Sequence, residues 1–161
     1  MKFPSRLKNL FMAPAFCVAI VFSLFTAQPV YAEELVVIVN QSNQIQNITT
    51  EKIKKMFSGQ TRFWKNGERI APYHLAKGSA EKEVFLHSVF EQTPRAHGRY
   101  WLLQKQLSGE TEPSNLTEDS EMAWVVSRNK YAIGYLSRSS FEALSQRRRN
   151  GIRPILRIRK R

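Results

Sequence analysis

Four largely apolar runs alternate along the chain with patterns of helical spacing, which predicts an α/β domain with helices flanking a sheet. The predicted strands are Leu35–Val39, Ile70–Leu75, Tyr131–Leu136 and Ile152–Ile158. The first of these is apolar at every position, which is typical of a strand buried on both faces in a mostly parallel sheet. The last contains Pro154, which cannot donate a ladder hydrogen bond, so we expect this strand at a sheet edge.

Most of the helical patterns begin at a residue that can cap or start a helix. The predicted starts are Thr49 or Thr50, Ser79, Pro94 and Thr117, and a further helix is expected over Ser139–Arg149. A small hydroxyl side chain can accept a hydrogen bond from a free first-turn amide, and proline suits the first helical position. We expect Gly109–Asn115 to be a loop and Trp64–Gly67 to be a turn.

Apolar spacing also predicts which side chains are buried. In the helix after Pro94 the expected inward residues are Tyr100, Trp101, Leu103 and Leu107. They recur at the spacing of one helical face. Because large aromatic side chains dominate buried area, Phe63, Trp64 and Trp124 are also expected in the core rather than on a surface that stacks a ligand.

The first 32 residues have the anatomy of a secretory signal peptide. Three basic residues precede an apolar run over residues 10–27, and Val30-Tyr31-Ala32 forms a cleavage site with small residues. An uncleaved membrane anchor is the alternative, since the run is close to the lower length limit for a bilayer span. We therefore divide the chain into a signal peptide, 1–32, and an exported, periplasmic domain with a basic C-terminal tail, 33–161.

Positive charge is concentrated at the C-terminus. The formal net charge is +12, and the last fifteen residues hold eight arginines and lysines. Such an excess favours anionic partners, and after export these include the phospholipid and lipopolysaccharide headgroups of an envelope surface. Few aromatic residues lie among the arginines, which does not favour nucleic acid. A solvated tail is the alternative, although Ile152, Ile155 and Ile158 indicate that part of it is a strand.

Several kinds of site find no support in the sequence. The only cysteine, Cys17, lies in the predicted signal peptide, which excludes a thiol nucleophile or a cysteine metal site in the mature domain. His74, His87 and His97 lack close acidic partners at metal-ligand spacing, so we predict no metal and no other cofactor. The sole aspartate sits at a predicted helix start, and no Gly-x-Ser-x-Gly elbow is present. We therefore predict that the protein is not an enzyme.

The strongest candidate site is Lys77-Gly78-Ser79-Ala80, where a predicted strand leads through a short loop into a helix. Free first-turn amides and the helix dipole favour an anion at such a position. Ser79 can add its hydroxyl, Gly78 lets the backbone approach a ligand closely, and Lys77 supplies positive charge. On these residues alone an ordinary capped helix is the alternative.

A series of landmarks resembles the second lobe of periplasmic phosphate-binding proteins. In order these are Met56-Phe57-Ser58-Gly59, Phe63-Trp64-Lys65-Asn66-Gly67, Gly78-Ser79, Tyr100-Trp101, Gly109 and Ala132-Ile133-Gly134-Tyr135. The resemblance implies one lobe of a type II periplasmic-binding-protein-like fold, from about residue 35 to about residue 140. It also implies binding of a small oxyanion, with phosphate as first choice, for delivery to a membrane transporter of the ABC type or to a sensor.

The resemblance is incomplete at the loop itself. In the family this loop reads Arg-Ser-x-Gly-Ser-Gly-Thr, and its serine, glycine and threonine hold the oxyanion. Aligned on Gly78-Ser79, this chain has Leu75 in place of the arginine and Glu81 in place of the threonine. A carboxylate in the first turn of a helix opposes a bound anion.

Two functions therefore stay open. In the first, the protein binds an oxyanion, and Lys77, Lys82 or Arg62 replaces the missing arginine. In the second, it is a non-catalytic interaction module that kept the fold, lost the ligand, and holds an envelope component or an acidic protein through its basic surface. Leu75, Glu81 and the lack of a counterpart for the family's first lobe favour the second function.

Overall fold

The computed structural model describes residues 34–160, and the predicted signal peptide, 1–32, lies outside the described residues. The strands in this range are β1 Glu34–Asn40, β2 Ala71–Leu75, β3 Ser114–Leu116, β4 Ala132–Ser137 and β5 Ile152–Arg159. The α-helices are α1 Thr50–Phe57, α2 Ala80–Phe85, α3 Pro94–Ser108, α4 Asp119–Arg128, α5 Arg138–Ala143 and α6 Gln146–Arg149. A π-helical turn, Leu86–Phe90, continues α2.

The strands form one mixed sheet in the order β3-β2-β4-β1-β5. β2 pairs in parallel with β3 and β4, whereas β1 is antiparallel to both of its neighbours. The predicted α/β class and the edge position of the last strand are therefore confirmed. The parallel surroundings expected for β1 are wrong: the strand is buried because it lies inside the sheet and contacts α2, α4 and α5.

The hydrophobic core is built around β1 and β4, whose residues are buried along nearly their whole length. Phe85 of α2 lies parallel to the ring of Tyr135 in β4, with 4.0 Å between the ring centres. Phe57 of α1 packs against Phe85 at 4.8 Å. These contacts hold the end of α2 against the sheet, about one and a half turns after the candidate loop enters the helix.

The buried face of α3 differs from the prediction. Trp101 is buried together with His97 one turn before it, and Tyr100 is half-buried. Leu103 and Leu107 were expected inward, but they are 50% and 73% exposed. Leu103 and Leu107 lie about 160° and about 120° around the helix axis from Trp101, so these leucines cannot share its face.

Two of the aromatic predictions are also wrong. Trp64 is buried, as expected, and its indole Nε1 donates a hydrogen bond to the carbonyl of Tyr131 at 3.0 Å. Phe63 is 57% exposed and Trp124 is 50% exposed. The Trp124 ring instead lies 5.1 Å beneath the guanidinium of Arg128, which can stabilise an aromatic side chain at the surface.

Three further boundaries differ from the sequence analysis. The predicted loop Gly109–Asn115 runs into a short strand, β3, and the N-cap of α4 is Glu118 rather than Thr117. The helix expected over Ser139–Arg149 is two short helices, α5 and α6. Among residues 34–160, no helix is long and apolar enough to cross a bilayer.

Gly134 provides a test of the packing between β4 and α4. A Cβ atom at this position would lie 2.2 Å from Sδ of the fully buried Met122. We expect Gly134→Ala to lower the free energy of unfolding, measured by urea denaturation, by about 1–3 kcal/mol. Gly98→Ala is the matched control, because a Cβ there meets nothing within 4 Å. Gly98→Ala should raise the free energy of unfolding by about 0.5–1 kcal/mol. A Gly134→Ala variant as stable as the wild type would contradict the close packing of Met122 on β4.

Candidate functional site

The candidate loop lies at the end of the sheet where the parallel strands finish. Because β2, β3 and β4 run in the same direction, the segments that follow them meet at one edge. These segments are Ala76–Ser79, Thr117–Glu118 and Ser137 with the start of α5. Ligands of open α/β sheets commonly bind at the carboxyl ends of the strands, so a ligand site is expected at this edge.

The loop itself is a tight turn that opens α2. Gly78 adopts a φ of 88°, a left-handed conformation that favours glycine. The amide of Ser79 donates to the carbonyl of Ala76 at 3.1 Å, which closes the turn. Oγ of Ser79 accepts a hydrogen bond from the amide of Lys82 at 3.2 Å, so the predicted N-cap is confirmed.

Two first-turn amides have no acceptor of their own. Within residues 34–160, no hydrogen bond engages the amides of Ala80 and Glu81, and Ala80 is exposed. The capping role of Ser79 uses a lone pair of its oxygen, which leaves the hydroxyl hydrogen able to donate. The loop therefore offers donors to an anion from solvent, which are two amides and one hydroxyl.

Only one of the three candidate cations stays available to the loop. Lys77 is exposed beside the turn. Lys82 points inward, and Nη1 of Arg62 forms an ion pair with Glu110 at 2.8 Å. The structure thus does not bring Lys77, Lys82 and Arg62 together around the loop.

A buried polar cluster lies under the first turn of α2. The ammonium of Lys82, a residue only 5% exposed, donates to a carboxylate oxygen of Glu112 and to Oδ1 of Asn115, both at 2.7 Å. Glu112 comes from the segment before β3, and Asn115 lies in β3 itself. The cluster therefore links the helix behind the candidate loop to the edge of the sheet.

Two histidines extend this cluster into the core. Nε2 of His97 accepts a hydrogen bond from Nε1 of Trp101 at 3.0 Å, and it lies 4.0 Å from the carboxylate of Glu112. Nδ1 of His74 and the phenol oxygen of Tyr135 form a hydrogen bond of 3.0 Å, and the amide of Leu75 donates to the same oxygen at 3.4 Å. Because Nε2 of His97 accepts the hydrogen bond from Trp101, the proton of neutral His97 lies on Nδ1.

Burial sets the protonation of these rings. It lowers the pKa of His97 to about 4, with Glu112 opposing the shift and Lys82 adding to it. Burial also lowers the pKa of His74 well below its usual value, and the charges of Lys82 and His97 act in the same direction. The pKa of Tyr135 is raised by burial. All three side chains are therefore neutral at pH 7.

His74, His97 and Glu112 also form a group of potential metal ligands, with one ligand atom of each within 4.8 Å of the others. Sequence spacing could not reveal this group, because β2, α3 and the segment before β3 bring its members together. Zinc ligands lie about 2.0–2.2 Å from the ion, so the three atoms would have to move closer. Lys82 already holds the carboxylate and Trp101 holds one imidazole, and the geometry favours a hydrogen-bonded cluster.

The other two segments at this edge carry hydroxyls and carboxylates. Oδ2 of Asp119, the first residue of α4, accepts hydrogen bonds from the amide and the hydroxyl of Ser137, at 3.0 and 2.7 Å. A carboxylate oxygen of Glu121 reaches back to the amide of Thr117 at 2.6 Å. None of these bonds engages a first-turn amide of α4, but both carboxylates place negative charge at the start of that helix, which disfavours an anion there.

The basic tail is partly used in structure. The guanidinium of Arg153 donates to the carbonyls of Asn43 and Ile45, and that of Arg149 donates to the carbonyl of Glu142. Arg147 and Arg148 of α6 are exposed. The tail is therefore an ordered edge strand and a helical turn as far as residue 160, with part of its charge facing solvent.

The sheet order and the loop after β2 define one lobe of a periplasmic-binding-protein-like fold. Residues 22–155 match the model of the PBP superfamily domain, and the chain belongs to this family. A search of curated proteins gave no significant match. The predicted resemblance to a single lobe of phosphate-binding proteins is thereby confirmed at the level of family and fold.

Two solved structures illustrate the likeness in fold. An ABC-type phosphate transport receptor from Vibrio cholerae has a TM-score of 0.55 and 19% sequence identity, and the alignment covers 76% of this chain and 46% of that one. PstS from Borrelia burgdorferi gives 0.56 and 17% with the same coverages. The chain thus spans less than half the length of these relatives.

The low pKa of His97 predicts a loss of stability in mild acid. The unfolded chain binds a proton at His97 below about pH 6.5, whereas the folded protein does so only near pH 4. Stability is complete above the unfolded pKa and falls as the pH drops. We expect the free energy of unfolding to be about 2 kcal/mol lower at pH 5 than at pH 7 from this residue, measured by urea denaturation.

Variants separate this contribution from others. His97→Gln keeps an acceptor for Trp101 and should reduce the pH dependence, while His74 continues to contribute in the same direction. His87 is exposed, so His87→Gln is the matched control and should retain the wild-type slope. An unchanged slope in His97→Gln would show that this ring is accessible to protons in the folded state.

Lys82 should be needed for folding stability. Lys82→Met removes the cation but keeps most of the side-chain volume. It leaves the part-buried Glu112 without its cation and the exposed Asn115 without this donor. We expect a loss of about 2–4 kcal/mol in the free energy of unfolding, less than for a fully buried pair because Glu112 is 30% exposed. The exposed Lys52→Met should change stability by less than about 0.5 kcal/mol. Equal effects of the two variants would refute a structural role for the buried pair.

Proposed function

We propose that the protein is an exported, periplasmic solute-binding protein that binds a small oxyanion, with phosphate as first choice. The ligand contacts the amides of Ala80 and Glu81, the Ser79 hydroxyl and the backbone at Gly78, and Lys77 supplies charge nearby. The role is non-catalytic and serves either delivery to a membrane transporter or signalling through a membrane sensor.

The single observation that carries this proposal is the open first turn of α2. It combines a left-handed glycine, a capping serine with a free hydroxyl hydrogen, and two amides without acceptors among the described residues. A solved protein of the same fold is named as an ABC-type phosphate transport receptor, and its name supports phosphate as the first anion to test.

Binding by this lobe alone is expected to be weak. The loop faces solvent, where the high dielectric constant and dissolved salt reduce each electrostatic contact. Leu75 is buried and apolar where the family's loop has an arginine, and Glu81 brings a negative charge into the first turn. A second surface that covers the ion, from another protein or another copy, would strengthen it by excluding water.

A second function is favoured by the position of the cations. Lys82 pairs with Glu112, and Arg62 pairs with Glu110. Of the three cations considered as substitutes for the family's arginine, Lys77 alone stays near the loop without such a pair. A protein that kept the fold and lost the ligand would show such a pattern. In that case the basic surface holds an anionic envelope component or an acidic protein.

Isothermal titration with phosphate, with sulfate and chloride as comparison anions, separates the two functions. The first predicts saturable heat with phosphate, and Ser79→Ala should weaken binding by about 0.5–1.5 kcal/mol because one hydrogen bond is lost. Thr93→Ala is the matched control. Thr93 caps α3 by accepting the equivalent hydrogen bond, from the amide of Ala96, but it does not belong to the loop. Thr93→Ala should cost similar stability and leave the affinity unchanged.

A second pair of variants tests the effect of Glu81. Glu81→Thr restores the residue of the family's loop and should increase the affinity for phosphate. Glu51→Thr removes a carboxylate at the same position of α1, two residues after its cap, and controls for the change in overall charge. Absence of heat at millimolar phosphate, in the wild type and in Glu81→Thr, would reject the anion site and leave the interaction module.

A further inference from the structure

An exposed apolar surface lies on the outer side of α3. Large hydrophobic side chains that are at least half exposed within residues 34–160 are Phe63, Leu102, Leu103, Leu107 and Trp124. Three of these five lie on this one helix, with exposed fractions of 59%, 50% and 73% for the leucines. Single exposed leucines are common, but a group of three on one helix is typical of a surface that meets a partner.

The helix meets the rest of the protein through its opposite side. His97 and Trp101 are its buried residues, and they contact each other and the polar cluster under α2. Tyr100 is half-buried and donates from its phenol to the carbonyl of Ser58 at 2.9 Å. His97 and Trp101 are thus directed to the protein, Tyr100 lies at the border of the buried side, and the leucines are exposed.

The same outer side is positively charged. Arg95 and Arg99 are exposed on this side, and residues 94–108 contain no aspartate or glutamate. Lys105 is also exposed, but it lies about 40° around the helix axis from the buried Trp101, at the flank of the outer side. Arg99 lies about 60° around the helix axis from Leu102 and about 40° from Leu103, so charged and apolar side chains interleave. Among residues 34–160, neither Arg99 nor Lys105 forms an ion pair with a carboxylate.

This interleaving suits a lipid headgroup region better than a protein partner. Protein interfaces concentrate aromatic anchors in an apolar centre with a polar rim, and here the aromatic residues face inward. An interfacial helix instead places leucines at the acyl boundary, while long cationic side chains reach the phosphates around it. Negative lipid charge also complements a helix with three cations and no acidic residue.

We propose that the outer face of α3, formed by Arg95, Arg99, Leu102, Leu103 and Leu107, docks onto the surface of an anionic lipid bilayer. The contact is peripheral, since α3 lies in the plane of the headgroups and does not cross the bilayer. It is independent of the oxyanion site, because α3 contributes no residue to the loop at Gly78.

Sedimentation with vesicles tests this docking on the purified exported domain. Binding is measured with vesicles of phosphatidylcholine mixed with phosphatidylglycerol, and with vesicles of phosphatidylcholine alone. We expect binding to the anionic vesicles only, and the triple variant Leu102→Ala, Leu103→Ala, Leu107→Ala should weaken it by at least roughly tenfold. These leucines are exposed, so the variant should keep the wild-type circular dichroism spectrum and urea midpoint.

The Arg-rich tail is the competing explanation for any such binding. The triple leucine variant keeps every charge, so an unchanged affinity would show that charge alone binds the vesicles and would overturn the proposal. Arg95→Gln with Arg99→Gln is compared with the exposed pair Arg147→Gln with Arg148→Gln, which removes the same charge from α6. The α3 pair should weaken binding more, and equal weakening would overturn the proposal as well.

Self-association and neutral lipid are the remaining outcomes. If the leucines bind a second copy, light scattering after gel filtration will show a dimer that the triple variant abolishes, and a dimer without vesicle binding would overturn lipid docking. Equal binding to neutral vesicles would overturn the role of the cations. Binding to anionic vesicles by a wild-type monomer, lost in the leucine variant, supports the proposal.

Discussion

The buried ammonium of Lys82 constrains how the rest of this lobe is assembled. A charge in a low-dielectric interior is costly unless it is paired and hydrogen-bonded, and Glu112 and Asn115 supply both requirements at 2.7 Å. One partner precedes β3 and the other lies in it, so the edge strand and the first turn of α2 must form together. The candidate loop is therefore positioned by a lysine that it cannot itself use.

Local signals predicted the parts of the fold in which sequence and burial agree. β1 is apolar at every position and lies inside the sheet, and Thr49 and Ser79 cap the helices that follow them. Pro154 correctly indicated an edge strand. In each case one residue type satisfies a requirement of the backbone at or near its own position, so the feature can be predicted from the local sequence.

Tertiary contacts decided the parts that the sequence could not predict. β3 has no apolar run and exists because its residues pair with β2. The inward face of α3 is set by His97 and Trp101, which bond to each other and pack at the polar cluster, so Leu103 and Leu107 lie outside. Trp124 is at the surface beneath Arg128. Apolar spacing predicts the possible buried faces of a helix, and contacts with neighbouring elements determine which face is buried.

The candidate site shows the same division between local and tertiary information. Gly78 and Ser79 correctly predicted the turn and the helix cap. The directions of the Lys82 and Arg62 side chains depend instead on Glu112 and Glu110, which lie about 30 to 50 residues further along the chain. With those cations engaged, the charge that the loop offers to an anion comes mainly from backbone dipoles, equivalent to about half a unit charge at a helix start. Such a partial charge is weak in water and stronger where water is excluded. A surface that covers the loop therefore matters more for affinity than one added cationic side chain.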